Sequence, residues 1–193
     1  MGELSIFIGA IFTYNIALTY ILGMCPFISL SRNLKTALGM SISVIFVVTL
    51  TAAINWPIYW LILVPTGSTI ISYIVFIIVI AASVQLVEMI MERFFPALQA
   101  SFGIFLPLIT VNCVVLAVSL FMVLRQYSYL KTIFFALGSS VGWMLAIVIV
   151  AAINEKLDLV GDTPKGLKGP GIIMIIAGII ALAFLGFAGM AGQ

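Results

Sequence analysis

The chain contains no histidine. That absence excludes bis-histidine haem ligation, most zinc sites and imidazole acid–base catalysis. A Ser/His/Asp triad cannot form. Charge is almost as scarce: 7% of the 193 residues are charged, where a soluble domain carries about 25%. The net charge of +2 includes no basic cluster, so nucleic acid is not an expected partner. No phosphate-cradling glycine loop follows a strand, and no carboxylate pair suits a hydrolase. Two cysteines are present. On residue chemistry alone they can be inert core residues, a disulfide or metal ligands.

What remains is apolar. Hydrophobic residues make up 64% of the chain, more surface than a soluble fold of this length can hide. A bilayer removes that difficulty, because lipid takes the place of the missing protein interior. A hydrocarbon core of about 30 Å needs roughly 20 apolar residues per helix. Six segments qualify, at about 4–30, 38–64, 70–90, 98–124, 133–153 and 172–190. Breaks are expected at 31–33, 65–67, 92–93, 125–126 and 154–169, the last being the one sizeable loop. The first charge is Glu3, whereas a signal peptide opens with positive charge. The first segment is therefore expected to stay as a span. The expected fold is a single all-α integral membrane domain over 1–193, with lipid as its main surroundings.

Basic residues suggest an orientation. Arg32, Lys35, Arg93, Lys156, Lys165 and Lys168 fall on one side, and Arg125 and Lys131 on the other. The richer side is expected to be cytoplasmic, which puts both termini outside. Trp56, Tyr59 and Trp60 would then close the second span at the outer headgroups.

An internal repeat is visible. Thr13-Tyr14-Asn15 is echoed by Thr110-Val111-Asn112, and Lys35-Thr36 by Lys131-Thr132. Ala52-Ala53-Ile54-Asn55 is echoed by Ala151-Ala152-Ile153-Asn154. The three offsets lie between 96 and 99 residues. Each repeat, about 1–96 and 97–193, holds three spans. An odd number forces the second copy to enter from the opposite side, giving an inverted-topology repeat of six helices. Such repeats place functional sites near the midplane at their interface.

The first and fourth spans are long and contain prolines, in Gly23-Met24-Cys25-Pro26 and Leu106-Pro107-Leu108. Proline removes a donor and clashes with the preceding turn, so both are expected to be interrupted helices. Each carries one cysteine. Cys25 and Cys113 are 88 residues apart and do not correspond under the repeat. Two thiolates are half the usual four-cysteine set of an iron–sulfur cluster. Asn15, Asn112, Thr13 and Thr110 are polar groups at mid-span. They either satisfy backbone groups freed at the breaks and glue helices together, or line an ion path. Glu88, inside the third span, is an ion-path candidate because an intramembrane charge costs about 3 kcal/mol. Near the cytoplasmic end it can instead reach the interface or pair with Arg93 or Lys35. Gly138 and Gly142 form a small-xxx-small pair suited to close helix packing.

Several runs carry a more specific likeness. Leu22-Gly23-Met24-Cys25-Pro26-Phe27, the run 103–113 ending in Thr110-Val111-Asn112-Cys113, and Asp162-Thr163-Pro164 with Gly166-Leu167-Lys168-Gly169 resemble one family over essentially the whole chain. That family comprises the E subunits of Nqr and the A subunits of Rnf. These are small membrane proteins of the sodium-translocating NADH:quinone oxidoreductase and of the Rnf ferredoxin:NAD oxidoreductase. Phe94-Phe95-Pro96-Ala97-Leu98 and Gly142-Trp143-Met144-Leu145-Ala146-Ile147 look like the Nqr type. Cys25-Pro26-Phe27 and the short Pro65-Thr66-Gly67 loop look more like the Rnf type, and the balance favours Nqr.

The resemblance implies a bacterial inner-membrane subunit, inactive alone, in a complex that moves electrons between NAD and ubiquinone and couples this to sodium transport. It implies an intramembrane [2Fe–2S] cluster shared with a homologous, oppositely oriented subunit (D in Nqr, E in Rnf). Carried over, its ligands here are Cys25 and Cys113, with no residue acting as a catalytic acid or base. The alternative from another class is a small secondary transporter or channel using Asn15, Asn112 and Glu88.

Overall fold

The computed structural model describes residues 3–30, 34–67, 71–94, 109–160 and 169–191. Among these residues every regular element is helical. The elements are α1 (Glu3–Phe12), α2 (Met24–Leu30), α3 (Leu34–Ile58), a π-helical turn (Tyr59–Leu63), α4 (Val64–Thr66), α5 (Ser72–Phe94), α6 (Cys113–Leu124), α7 (Tyr129–Val160) and α8 (Pro170–Ala191). Three helices are long and apolar enough to cross a bilayer: Leu34–Leu63, Ser72–Ile90 and Tyr129–Leu159. Three apolar helices are shorter: Glu3–Phe12, Cys113–Leu124 and Pro170–Gly186.

The first span is interrupted, but not where proline was expected to break it. α1 ends at Phe12, irregular chain fills 13–23, and α2 begins at Met24. Pro26 lies in the first turn of α2. There its missing N–H costs nothing, because first-turn donors have no intrahelical acceptor. The break comes instead from Asn15, which draws backbone groups to its side chain, and from left-handed backbone at Ile21 (φ 55) and Gly23 (φ 81). The fourth span shows a break at Val111–Asn112 before α6. Its first part, with Pro107, lies outside the described residues. So do Phe95-Pro96-Ala97, Arg32, the Asp162-Thr163-Pro164 run, Lys165 and Lys168.

Two other boundaries differ from the sequence reading. α5 continues through Glu92 and Arg93 to Phe94, and α7 continues past Asn154 to Val160. The charged residues at both places do not end the helix, since Glu and Lys are good helix formers. Pro57 stays inside α3, and the ladder widens into the π turn just beyond it.

The core lies between α3, α6, α7 and the interrupted first span. Trp143, Phe27, Met40, Val44 and Ile147 are fully buried there. α1 packs on α7 through the expected glycine pair. A Cβ on Gly138 would lie 2.7 Å from the Phe7 carbonyl oxygen, and one on Gly142 would lie 3.1 Å from that of Ile11. Residue numbers rise together along both helices, so α1 and α7 run parallel. Ile74, Ile77 and Ile78 on α5, with Ile175, Ile179 and Leu182 on α8, are exposed. They form the apolar faces expected to meet lipid.

At the end of α3 an aromatic group gathers. The Trp56 indole Nε1–H donates to the Tyr127 carbonyl at 2.9 Å, and its ring meets Tyr129 at 5.3 Å and Trp60 at 6.3 Å. The end of α3 and the turn between α6 and α7 therefore lie at the same end of the bundle.

Candidate functional site

The interrupted segment is held in place by side chains and backbone of distant elements. Asn15 is fully buried and uses both amide atoms. Its Nδ2 donates to the Ile11 carbonyl at 3.0 Å and to the Gly142 carbonyl at 2.9 Å. Its Oδ1 accepts from the backbone N–H of Ala17 at 3.1 Å and of Leu18 at 3.3 Å. One residue thus satisfies groups freed on both sides of the break and anchors it to α7. Of the two roles open to Asn15 in the sequence, this is the backbone-satisfying one.

Asn112 does related work in the fourth span. It caps α6, its Oδ1 accepting from the Val114 N–H at 3.1 Å. It is 3% exposed, and its Nδ2 has no hydrogen-bond partner among the described residues. Cys113 follows as the first residue of α6. The free N–H groups of that turn make this end of the helix partially positive.

The two cysteine-bearing segments meet. Gly23, two residues before Cys25, packs so closely that an added Cβ would lie 2.6 Å from Val114 Cγ2, 2.8 Å from Trp143 Nε1 and 3.2 Å from Asn112 Oδ1. Trp143 Nε1–H donates to the Gly23 carbonyl at 3.4 Å. Gly23, Asn112, Val114 and Trp143 therefore tie the residues flanking both cysteines into one cluster. Gly23 and Trp143 stood in the sequence motifs, and the one signal of their contact was the glycine itself, since a positive φ beside a close backbone approach calls for that residue.

α6 has 12 residues, so Cys113 lies about 18 Å from its far end. Gly23 shares that level through its contact with Val114. Both cysteines are free and exposed on the surface of the chain. Among the described residues no three metal-binding side chains come together. A cluster needs about four thiolates, and this chain presents two, each turned outward from packed scaffolding. By donor chemistry the two thiols match half of such a set.

Glu88 is half-buried on α5.

Comparison with known proteins places this architecture. The chain is 43% identical to the E subunit of the Na(+)-translocating NADH-quinone reductase of Psychromonas ingrahamii, with 97% of each chain covered. It is 45% identical to the corresponding subunit of Glaesserella parasuis and 44% identical to that of Neisseria meningitidis, with the same coverage. Residues 3–191 match the family model of the Rnf-Nqr membrane subunits. With a match across almost its whole length, the chain belongs to the Rnf-Nqr family of membrane subunits.

Proposed function

We propose that this chain is an electron-carrying membrane subunit of a sodium-translocating NADH:quinone oxidoreductase complex in a bacterial inner membrane. The names of its relatives support membership in such a complex. The observation that carries the site is the pair of exposed cysteines, one on each of two segments locked together at Gly23 and Val114. Cys25 and Cys113 supply two ligands of a [2Fe–2S] cluster, and a homologous, oppositely oriented subunit (D of Nqr) supplies the other two. When bound, such a cluster provides a one-electron relay within the membrane.

The chain's own residues hold that half-site. Asn15 and Asn112 satisfy the broken backbone, Trp143 and Gly23 fix the spacing of the two segments, and the buried core excludes water behind them. Irregular backbone at membrane depth survives only where protein buries it, which these contacts accomplish. We read the six apolar segments as two inverted three-helix repeats with both termini outside. Support comes from Asn15 and Asn112, 97 residues apart, each of which accepts from the N–H two residues on. The parallel run of α1 and α7 agrees with it.

An Rnf-type complex, passing electrons between ferredoxin and NAD, would use the same half-site. The 43–45% identity to Nqr relatives favours the Nqr type. A stand-alone transporter is the competing class. Against it, the Asn15 amide is wholly engaged by backbone, leaving no free atom for an ion.

The test is Cys25→Ser and Cys113→Ser in the purified complex. Each substitution is expected to abolish the [2Fe–2S] electron paramagnetic resonance signal and lower iron content. Unchanged iron and an unchanged signal would reject the ligand assignment.

A further inference from the structure

A groove of about 710 Å³ opens between α1 and the turn joining α6 to α7, with Leu4, Ile8, Tyr14, Arg125, Tyr127 and Phe135 along its walls. Its chemistry is graded. The α1 wall is apolar, and Leu4 and Ile8 are 69% and 51% exposed. The other end is cationic. Arg125 donates from one guanidinium nitrogen to the Tyr127 hydroxyl at 3.2 Å. Its guanidinium carbon lies 4.6 Å from the Tyr14 ring centroid and 5.9 Å from that of Phe121. Tyr20 and Tyr14 also lie within its electrostatic reach. No carboxylate among the described residues pairs with Arg125. Phenols orient the guanidinium but do not neutralise it, and most of its five N–H donors stay available.

Arg125 follows the last residue of an apolar helix and shortly precedes the next. It therefore sits where the chain leaves the hydrocarbon, at headgroup level. A cation oriented there by aromatic rings, above an exposed apolar wall, matches the two ends of a lipid. We propose that this groove binds an anionic phospholipid, with its phosphate on Arg125 and Tyr127 and an acyl chain along α1. The guanidinium fork suits phosphate oxygens in bidentate fashion. A free inorganic phosphate would satisfy Arg125 but leave Leu4 and Ile8 uncovered, whereas a phospholipid covers both.

The assay uses the purified complex and measures phosphatidylglycerol retained after detergent washing, by native mass spectrometry. Arg125→Gln lowers retention about fivefold, the loss of one surface cation's attraction to anionic lipid. Arg125→Lys keeps the charge but not the bidentate fork, and lowers retention by a smaller factor. Lys131→Gln, altering a nearby cation that is not among the lining residues, leaves it unchanged. A photo-crosslinking residue at position 8 of otherwise unaltered chain gives a phospholipid adduct. Equal retention in wild type and Arg125→Gln overturns the proposal. So does equal retention of phosphatidylcholine, displacement of the lipid by inorganic phosphate, or a photo-adduct to another polypeptide. If Arg125→Gln fails to assemble, Arg125→Lys and the photo-adduct decide the matter.

Discussion

Gly23 and Val114 approach so closely that a single added carbon on Gly23 would lie 2.6 Å from Val114 Cγ2. The contact joins the segment before Cys25 to the residue after Cys113. It spans the two halves of the chain.

Gly23→Ala should therefore damage both stability and the site. The new methyl group meets Val114 and Trp143, and the φ of +81° is poorly tolerated by a side chain. Overpacking and a left-handed strain each cost about 1–3 kcal/mol. The purified complex should melt at lower temperature and carry less iron. Gly9→Ala is the control, since a Cβ there meets nothing within 4 Å and alanine favours a helix by about 1 kcal/mol. A Gly23→Ala complex with wild-type melting and iron would show that the two segments do not touch.

Asn15→Asp separates shape from hydrogen bonding. The carboxylate still accepts from Ala17 and Leu18 but faces the Ile11 and Gly142 carbonyls where an amide once donated. A buried charge without a partner costs about 3–5 kcal/mol, so the complex should fail to accumulate or should unfold readily. Asn15→Ala leaves groups unsatisfied at about 1–3 kcal/mol and should be the milder lesion by thermal melting. Equal tolerance of both variants would be inconsistent with a buried Asn15.

The two glycines of α7 should rank by what they touch. Gly138→Ala drives a carbon to 2.7 Å from the Phe7 carbonyl oxygen and 2.9 Å from Ala10 Cβ, whereas the nearest atom to Gly142 is at 3.1 Å. Gly138→Ala should then cost about 1–3 kcal/mol and Gly142→Ala less. Reversed melting temperatures would mean that α1 seats on α7 in another register.

Asn55 and Ser119 offer a double-mutant cycle. Asn55 Nδ2 donates to Ser119 Oγ at 2.8 Å, while Asn55 Oδ1 is buried without a partner among the described residues. Ser119→Ala alone strands the donor and should cost about 1–3 kcal/mol, whereas removing both polar groups can be nearly neutral. Asn55→Leu with Ser119→Ala should be less damaging than the sum of the single changes, read from melting of the assembled complex. Strict additivity would show that the pair is not hydrogen-bonded.

Much of this protein was legible in its residues. The scarcity of charge and the long apolar runs required a membrane helix bundle, because no other solvent accepts that surface. The Gly138–Gly142 spacing announced a close helix contact, and the two cysteines stood out beside the segments expected to be interrupted. The asparagines were visible as polar groups at mid-span. The family motifs pointed to the Rnf-Nqr family, to which the chain belongs.

The tertiary structure decided the rest. Proline suggested a break at Pro26, yet Pro26 rests harmlessly in a first turn while Asn15, Ile21 and Gly23 bend the chain before it. Asn154 and Glu92–Arg93 looked like helix ends, yet helices continue past them, because hydropathy reports where lipid stops and not where backbone hydrogen bonds stop. Above all, composition could not say that Gly23 touches Val114 and Trp143, or that Asn15 reaches Gly142. Those contacts join residues about 90 to 130 positions apart, and such distant pairs meet only once the helices have packed.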